Sequence, residues 1–426
     1  MNRNFKSFMP LLKFHVFLVV AATICLILFA HHKIPEKTVY NNACTSFSSY
    51  LNIFYSKNCY HIPDTYQNVC TIALSHVGVC EDHKVTTEDG YILTVFRLPR
   101  SNPKDVILLQ HPLGVDSRVW ISQYNKSTAL FYWKAGYDVW MTNNRGTFYS
   151  KNHVNLTRWD GAFWDFSFHE MGLYDHKAAI DYIRGQTLGS KIIFLGHSMA
   201  TTSGLIYASL RPEEAKENIK AMILLAPVAY VDHAESIFRY LSFFLPQIQV
   251  MVEVTNQHSL VAYDSWFANI IRRFAILFPF KILLVNLLAM IVGPHQFDPN
   301  YCNVFLSNIP SETSWKVIFH YGQLKESYNG FKMYDYGKEN NLKIYKNVTP
   351  PSYPLSRIRT PIYLVHSKED YLSVTEDVDL LYEHLPEEAK IYGKLEVRGF
   401  NHFDFHTGKD KMKMCLKILQ FIENLR

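Results

Sequence analysis

The chain has 426 residues, 48% hydrophobic and 15% aromatic, with a formal net charge of +5. This is enough apolar material for one large core, so a single α/β domain with an insertion fits as well as two domains. The charge is modest and scattered, which argues against a nucleic-acid partner. No internal repeat, phosphate-cradling glycine loop, C-x-x-C or H-E-x-x-H occurs, so neither a metal nor another cofactor is expected.

In chain order, Arg3, Lys6 and Lys13 precede an uncharged apolar run from Phe14 to Ala30. That pattern predicts a signal peptide over residues 1–30, with an uncleaved anchor as the alternative. Three Asn-x-Ser/Thr sequons, at Asn125, Asn155 and Asn347, fit passage through the secretory pathway and nominate glycosylation sites. Cys44, Cys59, Cys70 and Cys80 cluster in an extension over residues 31–80. In an oxidising compartment one or two bridges are expected among them, in any of three pairings.

From residue 81 onward short apolar runs alternate with helix-length segments. `EDGYILTVFRLP` reads as a hairpin arm after an Asp-Gly turn. `DVILLQHPLG`, `GYDVWMTNNRG`, `KIIFLGHS`, `KAMILLAPVAY`, `TPIYLVHSKED` and `AKIYGKLEVRGF` read as further strands ending in polar or glycine turns. The alternation predicts an α/β fold, a mostly parallel central sheet with helices on both faces. A last helix would cover it with Met412, Cys415, Ile418, Leu419, Ile422 and Leu425 on one side, Cys415 serving as a buried hydrophobe.

The rhythm breaks between residues 231 and 348, where `IFRYLSFFLPQIQVMVEV` and `FAILFPFKILLVNLLAMIVG` are far more apolar than a solvated loop. Insertions of this length usually carry their own fold and function. The segment divides the core into 81–230 and 349–426. It reads either as a buried helical subdomain or as a cap whose inner surface meets lipid. Lys281 and Asn286 interrupt the second run, which argues against a membrane span.

The chemistry centres on `KIIFLGHSMATTSG`. A serine hydroxyl becomes nucleophilic when a nearby base takes its proton, and a tight strand-to-helix turn makes it project. Ser198 sits at such a junction, with Gly196 and Ala200 as the small flanking residues. The acid and base then follow on loops beyond later strands. Asp370 ends `TPIYLVHSKED` and His402 follows `KLEVRGFN`; His402 is the base and Asp370 its orienting acid. Glu369 and Asp404 compete as the acid, although Asp404 stands where a helix N-terminus would use it for capping. The oxyanion needs two backbone N–H groups, one from Met199 and one from the turn `LLQHPLGVDS`, where Pro112 has no hydrogen and Leu113 does.

The blocks `TEDGYILTVFRLP`, `GYDVWMTNNRGTFYS`, `FWDFSFHEMGLYDHKAAIDYI`, `LLAPVAY`, `HYGQLKESYNGFKMYDYG` and `NHFDF` resemble, in order, the acid lipase family of α/β-hydrolases. The resemblance implies a secreted or lysosomal esterase that acts on triacylglycerols or sterol esters at a lipid–water interface, with a helical cap and lid. It also carries the nucleophile, acid and base onto Ser198, Asp370 and His402, and the oxyanion donors onto Leu113 and Met199. Two departures stand beside the reaction centre. Pro112 replaces the glycine of His-Gly-Leu, and Met199-Ala200 replaces the Gln-Gly that follows the serine. Two alternatives are a lipid-binding protein that has lost turnover and an esterase of small soluble esters.

Overall fold

The Asp-Gly turn closes a hairpin between β1 (Glu81–Thr86) and β2 (Tyr91–Leu98), antiparallel with Thr86 opposite Ile92. Gly90 has φ +94°, and a Cβ there would lie 2.7 Å from Val154, so only glycine fits. The sheet continues with β3 (Val106–Gln110), β4 (Asp138–Thr142), β5 (Ile192–His197), β6 (Ile219–Leu225), β7 (Ile362–His366) and β8 (Lys394–Glu396). Their order is β1-β2-β4-β3-β5-β6-β7-β8, with the two-residue strand Asn152–His153 beside β2. β2 runs antiparallel to both neighbours, and every pairing from β4 to β8 is parallel. All seven predicted runs contribute, the last through only three residues.

The computed structural model describes residues 43–44, 46–53, 55–123, 126–261, 265, 268–270, 272, 280–294 and 299–425. The predicted signal segment 1–30 and the sequon at Asn125 lie outside the described residues.

The strands read as unbroken apolar runs because both faces of the sheet are covered. Val106, Leu108, Ile192, Phe194, Met222 and Leu224 belong to one buried cluster, whereas Ile107, Leu109, Ile193, Leu195, Ile223 and Leu225 belong to another. This is the two-residue alternation of a strand. Helix α1 (Val69–Val77) packs on the second cluster through Val69, Ile72 and Ala73. The end of the cysteine-containing extension is therefore part of the core. Helices α2 (His176–Gln186) and α3 (Met199–Leu210) pack on the first.

Between β6 and β7 lie α4 (Leu245–Thr255), α5 (Phe280–Val292), α6 (Pro299–Asn308) and α7 (Trp315–Glu326). A two-stranded pair, Ser259–Leu260 with Thr313–Ser314, accompanies them, and no strand of the main sheet falls here among the described residues. No described helix is long and apolar enough to cross a membrane. Val317 and Leu324 of α7 join the first core cluster, and His320 and Tyr321 lie against Phe168, so this part of the insertion is built into the core.

The final helix, α8 (Lys411–Glu423), buries Met414, Cys415, Ile418 and Ile422, with Met412, Leu419 and Leu425 partly covered. Two disulfides, Cys44–Cys59 and Cys70–Cys80, link the four cysteines of the extension over residues 31–80 in sequential pairs. Cys415 is free and buried.

Candidate active site

Strand β5 is buried throughout and runs straight into Ser198, whose φ of 55° and ψ of −119° are unfavourable for a residue with a Cβ. Surrounding bonds hold it there. The Ser198 N–H donates to Leu225 O of β6 at 3.0 Å. Thr201 Oγ1 donates to Ser198 O at 2.6 Å and accepts from Val228 N at 2.8 Å, which ties the turn to the loop after β6. A Cβ on Gly196 would stand 2.7 Å from Phe194 Cε1 and 3.2 Å from the Ala200 Cβ. The Ala200 methyl therefore fits because residue 196 has none.

The loops after β7 and β8 bring the other two residues to this turn. His402 Nε2 lies 2.6 Å from Ser198 Oγ, and His402 Nδ1 lies 2.8 and 3.0 Å from the two Asp370 carboxylate oxygens. An ionised carboxylate only accepts, so Nδ1 carries the proton and Nε2 presents its lone pair to the serine hydroxyl. Asp370 is fully buried and also accepts from Leu372 N and Ser373 N, at 2.8 and 2.9 Å. The competing carboxylates point elsewhere. Glu369 accepts from Ser367 Oγ and Gly399 N, at 2.7 and 2.9 Å, joining the loops that carry Asp370 and His402. Asp404 and Asn401 form a reciprocal cap: Asn401 Oδ1 accepts from Asp404 N at 2.9 Å, and Asp404 Oδ2 accepts from Asn401 N at 3.0 Å.

The turn after β3 is set beside Ser198 by strand register, since Gln110 pairs with Gly196. His111 holds this turn. Its Nε2 is 3.1 Å from Asn144 N, which can only donate, so Nδ1 bears the proton and donates to Pro112 O at 2.8 Å. Pro112 O and Leu113 N–H belong to one trans peptide and point opposite ways. Holding the carbonyl thus fixes the direction of the Leu113 N–H. Met199 opens α3, where N–H groups have no partner within the helix, and its side chain is buried in the first core cluster. The sequence clue to His111 was its place before Pro112, but its bond to Asn144 spans 33 residues.

Behind His402 lies an imidazole pair: His406 Nε2 is 3.0 Å from His197 Nδ1, and both rings are fully buried. Burial holds both well below the usual histidine range, His406 helping at His197, and Lys411 at His406. Above pH ~6.5 both are neutral folded or unfolded and contribute no pH dependence. Below it the unfolded chain takes up protons that the folded pair refuses, so stability falls by up to ~1.4 kcal/mol per histidine per pH unit. The melting temperature is expected to drop between pH 7 and pH 5, less steeply in His406→Leu. Equal slopes for the two proteins would count against the pair as an acid-sensitive element.

The strand order, the strained turn after β5 and the loops converging on it define an α/β-hydrolase. Residues 105–408 match the family model for the alpha/beta hydrolase fold, and residues 72–124 match that for a partial alpha/beta-hydrolase lipase region. The chain is 34% identical to gastric triacylglycerol lipase of Mus musculus over 366 residues, 82% of this chain and 89% of that one. It is 31% identical to lipase member N of Homo sapiens over 359 residues, 82% and 88% respectively. A soluble variant of monoglyceride lipase from Saccharomyces cerevisiae superimposes with a TM-score of 0.51 at 14% identity, covering 81% of this chain and 94% of that one, a likeness of fold alone. The chain belongs to the acid lipase family of α/β-hydrolases and is by class a carboxylic ester hydrolase of the lipase type.

Proposed function

We propose that the chain hydrolyses the ester bonds of neutral lipids, triacylglycerols or sterol esters, through an acyl-enzyme on Ser198. The observation that carries this reading is the continuous bonded path from Ser198 Oγ through His402 to Asp370. His402 Nε2 takes the hydroxyl proton as Oγ attacks the ester carbonyl, and the Leu113 and Met199 N–H groups receive the oxyanion. His402 then gives the proton to the departing alcohol. Water, activated by the same nitrogen, releases the fatty acid and regenerates Ser198.

The substrate class draws support from the relatives named as triacylglycerol lipases and from the cap surface. Phe243, Phe244, Val250, Met251 and Val254 crowd the segment around α4, with Phe243 75% and Val254 80% exposed. An apolar patch of this kind suits a lipid–water interface. Asn155 and Asn347 are exposed, as glycan acceptors on a secretory-pathway protein, secreted or lysosomal, would be.

The test is a panel of emulsified long-chain acylglycerols and sterol esters beside acetyl and butyryl esters below their solubility limit, with Ser198→Ala as the blank. Long-chain emulsions are expected to be turned over in preference. Activity confined to the soluble short esters would defeat the lipid assignment and favour a small-ester hydrolase.

A further inference from the structure

The end of cap helix α5 is bonded to both loops that carry the proposed acid and base. Val292 O accepts from His402 N at 3.1 Å and from Tyr371 N, the residue after Asp370, at 3.4 Å. The next carbonyl, Gly293 O, accepts from Asn401 Nδ2 at 3.0 Å, and Asn401 directly precedes His402. A helix leaves its last carbonyls without partners of its own. Here the catalytic loops supply them.

The fit is tight. Gly293 has φ +99°, and a Cβ on it would lie 2.2 Å from Glu369 O, so residues with side chains are excluded where the helix end meets the acid loop. Asn401 is fully buried, and its amide is used at both ends: Nδ2 reaches the cap, while Oδ1 accepts from Phe403 N and Asp404 N, both at 2.9 Å.

We propose that this junction is a clasp in which Asn401 and Gly293 act as positioning residues, the cap helix setting the backbone positions from which Asp370 and His402 work. The cap thereby does more than cover the substrate. It completes the geometry of the reaction, as displacements of about 1 Å can cost about 10²-fold in rate. The proposal rests on the assignment of Asp370 and His402 as acid and base.

Two substitutions separate a clasp from a helix cap. Serine at 401 still caps the turn at residues 404–407 but is too short to reach Gly293, and aspartate keeps the acceptor while facing the Gly293 carbonyl with a second acceptor. With soluble p-nitrophenyl butyrate, which removes lipid binding from the measurement, kcat is expected to fall about 10-fold in Asn401→Ser and about 10²-fold in Asn401→Asp. KM should stay within about twofold of wild type. Asn401→Asp buries a carboxylate against a carbonyl and is expected to melt well below wild type, so its kcat is read below its own melting range, and Asn401→Ser, the milder change, carries the comparison. Wild-type kcat in both variants overturns the clasp while leaving the hydrolase reading intact. A wild-type protein inactive on every ester overturns that reading and the clasp with it. Hydrogen exchange on the unaltered protein provides a check independent of variant folding: the His402 and Tyr371 amides should exchange as slowly as those of the sheet. Exchange as fast as an exposed loop rejects the junction.

Discussion

Ser198→Ala is expected to leave a folded protein whose ester hydrolysis has dropped by about 10⁴-fold or more, the scale of losses seen when a triad nucleophile is removed. The substitution deletes one oxygen, which is hydrogen-bonded to His402 Nε2. Alanine faces the same backbone strain at φ 55° as serine, and the bonds from Leu225 and Thr201 that hold the turn involve main-chain atoms of residue 198. Stability should therefore change little, and the His402–Asp370 pair remains. The measurements are turnover on a long-chain emulsion, covalent labelling by a serine-directed phosphonate, and a thermal melt. Persistent turnover and labelling in a pure preparation would reject Ser198 as the nucleophile.

Leu113→Pro is expected to lower kcat by about 10²–10³-fold, the usual consequence of deleting one oxyanion donor, equivalent to ~2.7–4 kcal/mol of transition-state stabilisation. Proline removes the hydrogen from the peptide whose carbonyl His111 holds, so the latch could remain while the donor is lost. It also restricts Pro112 to extended backbone, and a second substitution must separate that effect. Leu113→Ala keeps the N–H and trims only a partly buried side chain packed against the first core cluster. It should retain kcat within about tenfold of wild type, at some cost in stability. If alanine and proline depress kcat equally, the leucine side chain matters and the backbone-donor assignment is wrong.

The position of Ser198 could be read from sequence because its constraint is local. A buried strand, a glycine two residues before the serine and a small residue two after it are steric requirements of one turn, written within fourteen residues. The strands were visible for a similar reason, since continuous apolar runs of strand length carry their own signature of a covered sheet. The burial of α7 was less legible, because it depends on what the helix meets: Val317 and Leu324 join the first core cluster, and His320 and Tyr321 lie against Phe168, far away in sequence.

What sequence determined by itself was therefore the set of elements and a short list of chemical candidates. Tertiary structure decided between neighbours that sequence makes equivalent. Glu369 and Asp370 are adjacent carboxylates, yet one bonds Gly399 N and the other His402 Nδ1, because successive residues on the loop after β7 face different partners. The same holds for the sequential disulfide pairing, for the hold of His111 on the turn after β3, and for the docking of the α5 end on Asn401. Each depends on groups brought together by chain closure across intervals of ten to more than two hundred residues, from Cys70–Cys80 to Ser198–His402. Side-chain periodicity carries no record of such contacts, since they are specified by the packing of the whole core and not by any segment of it.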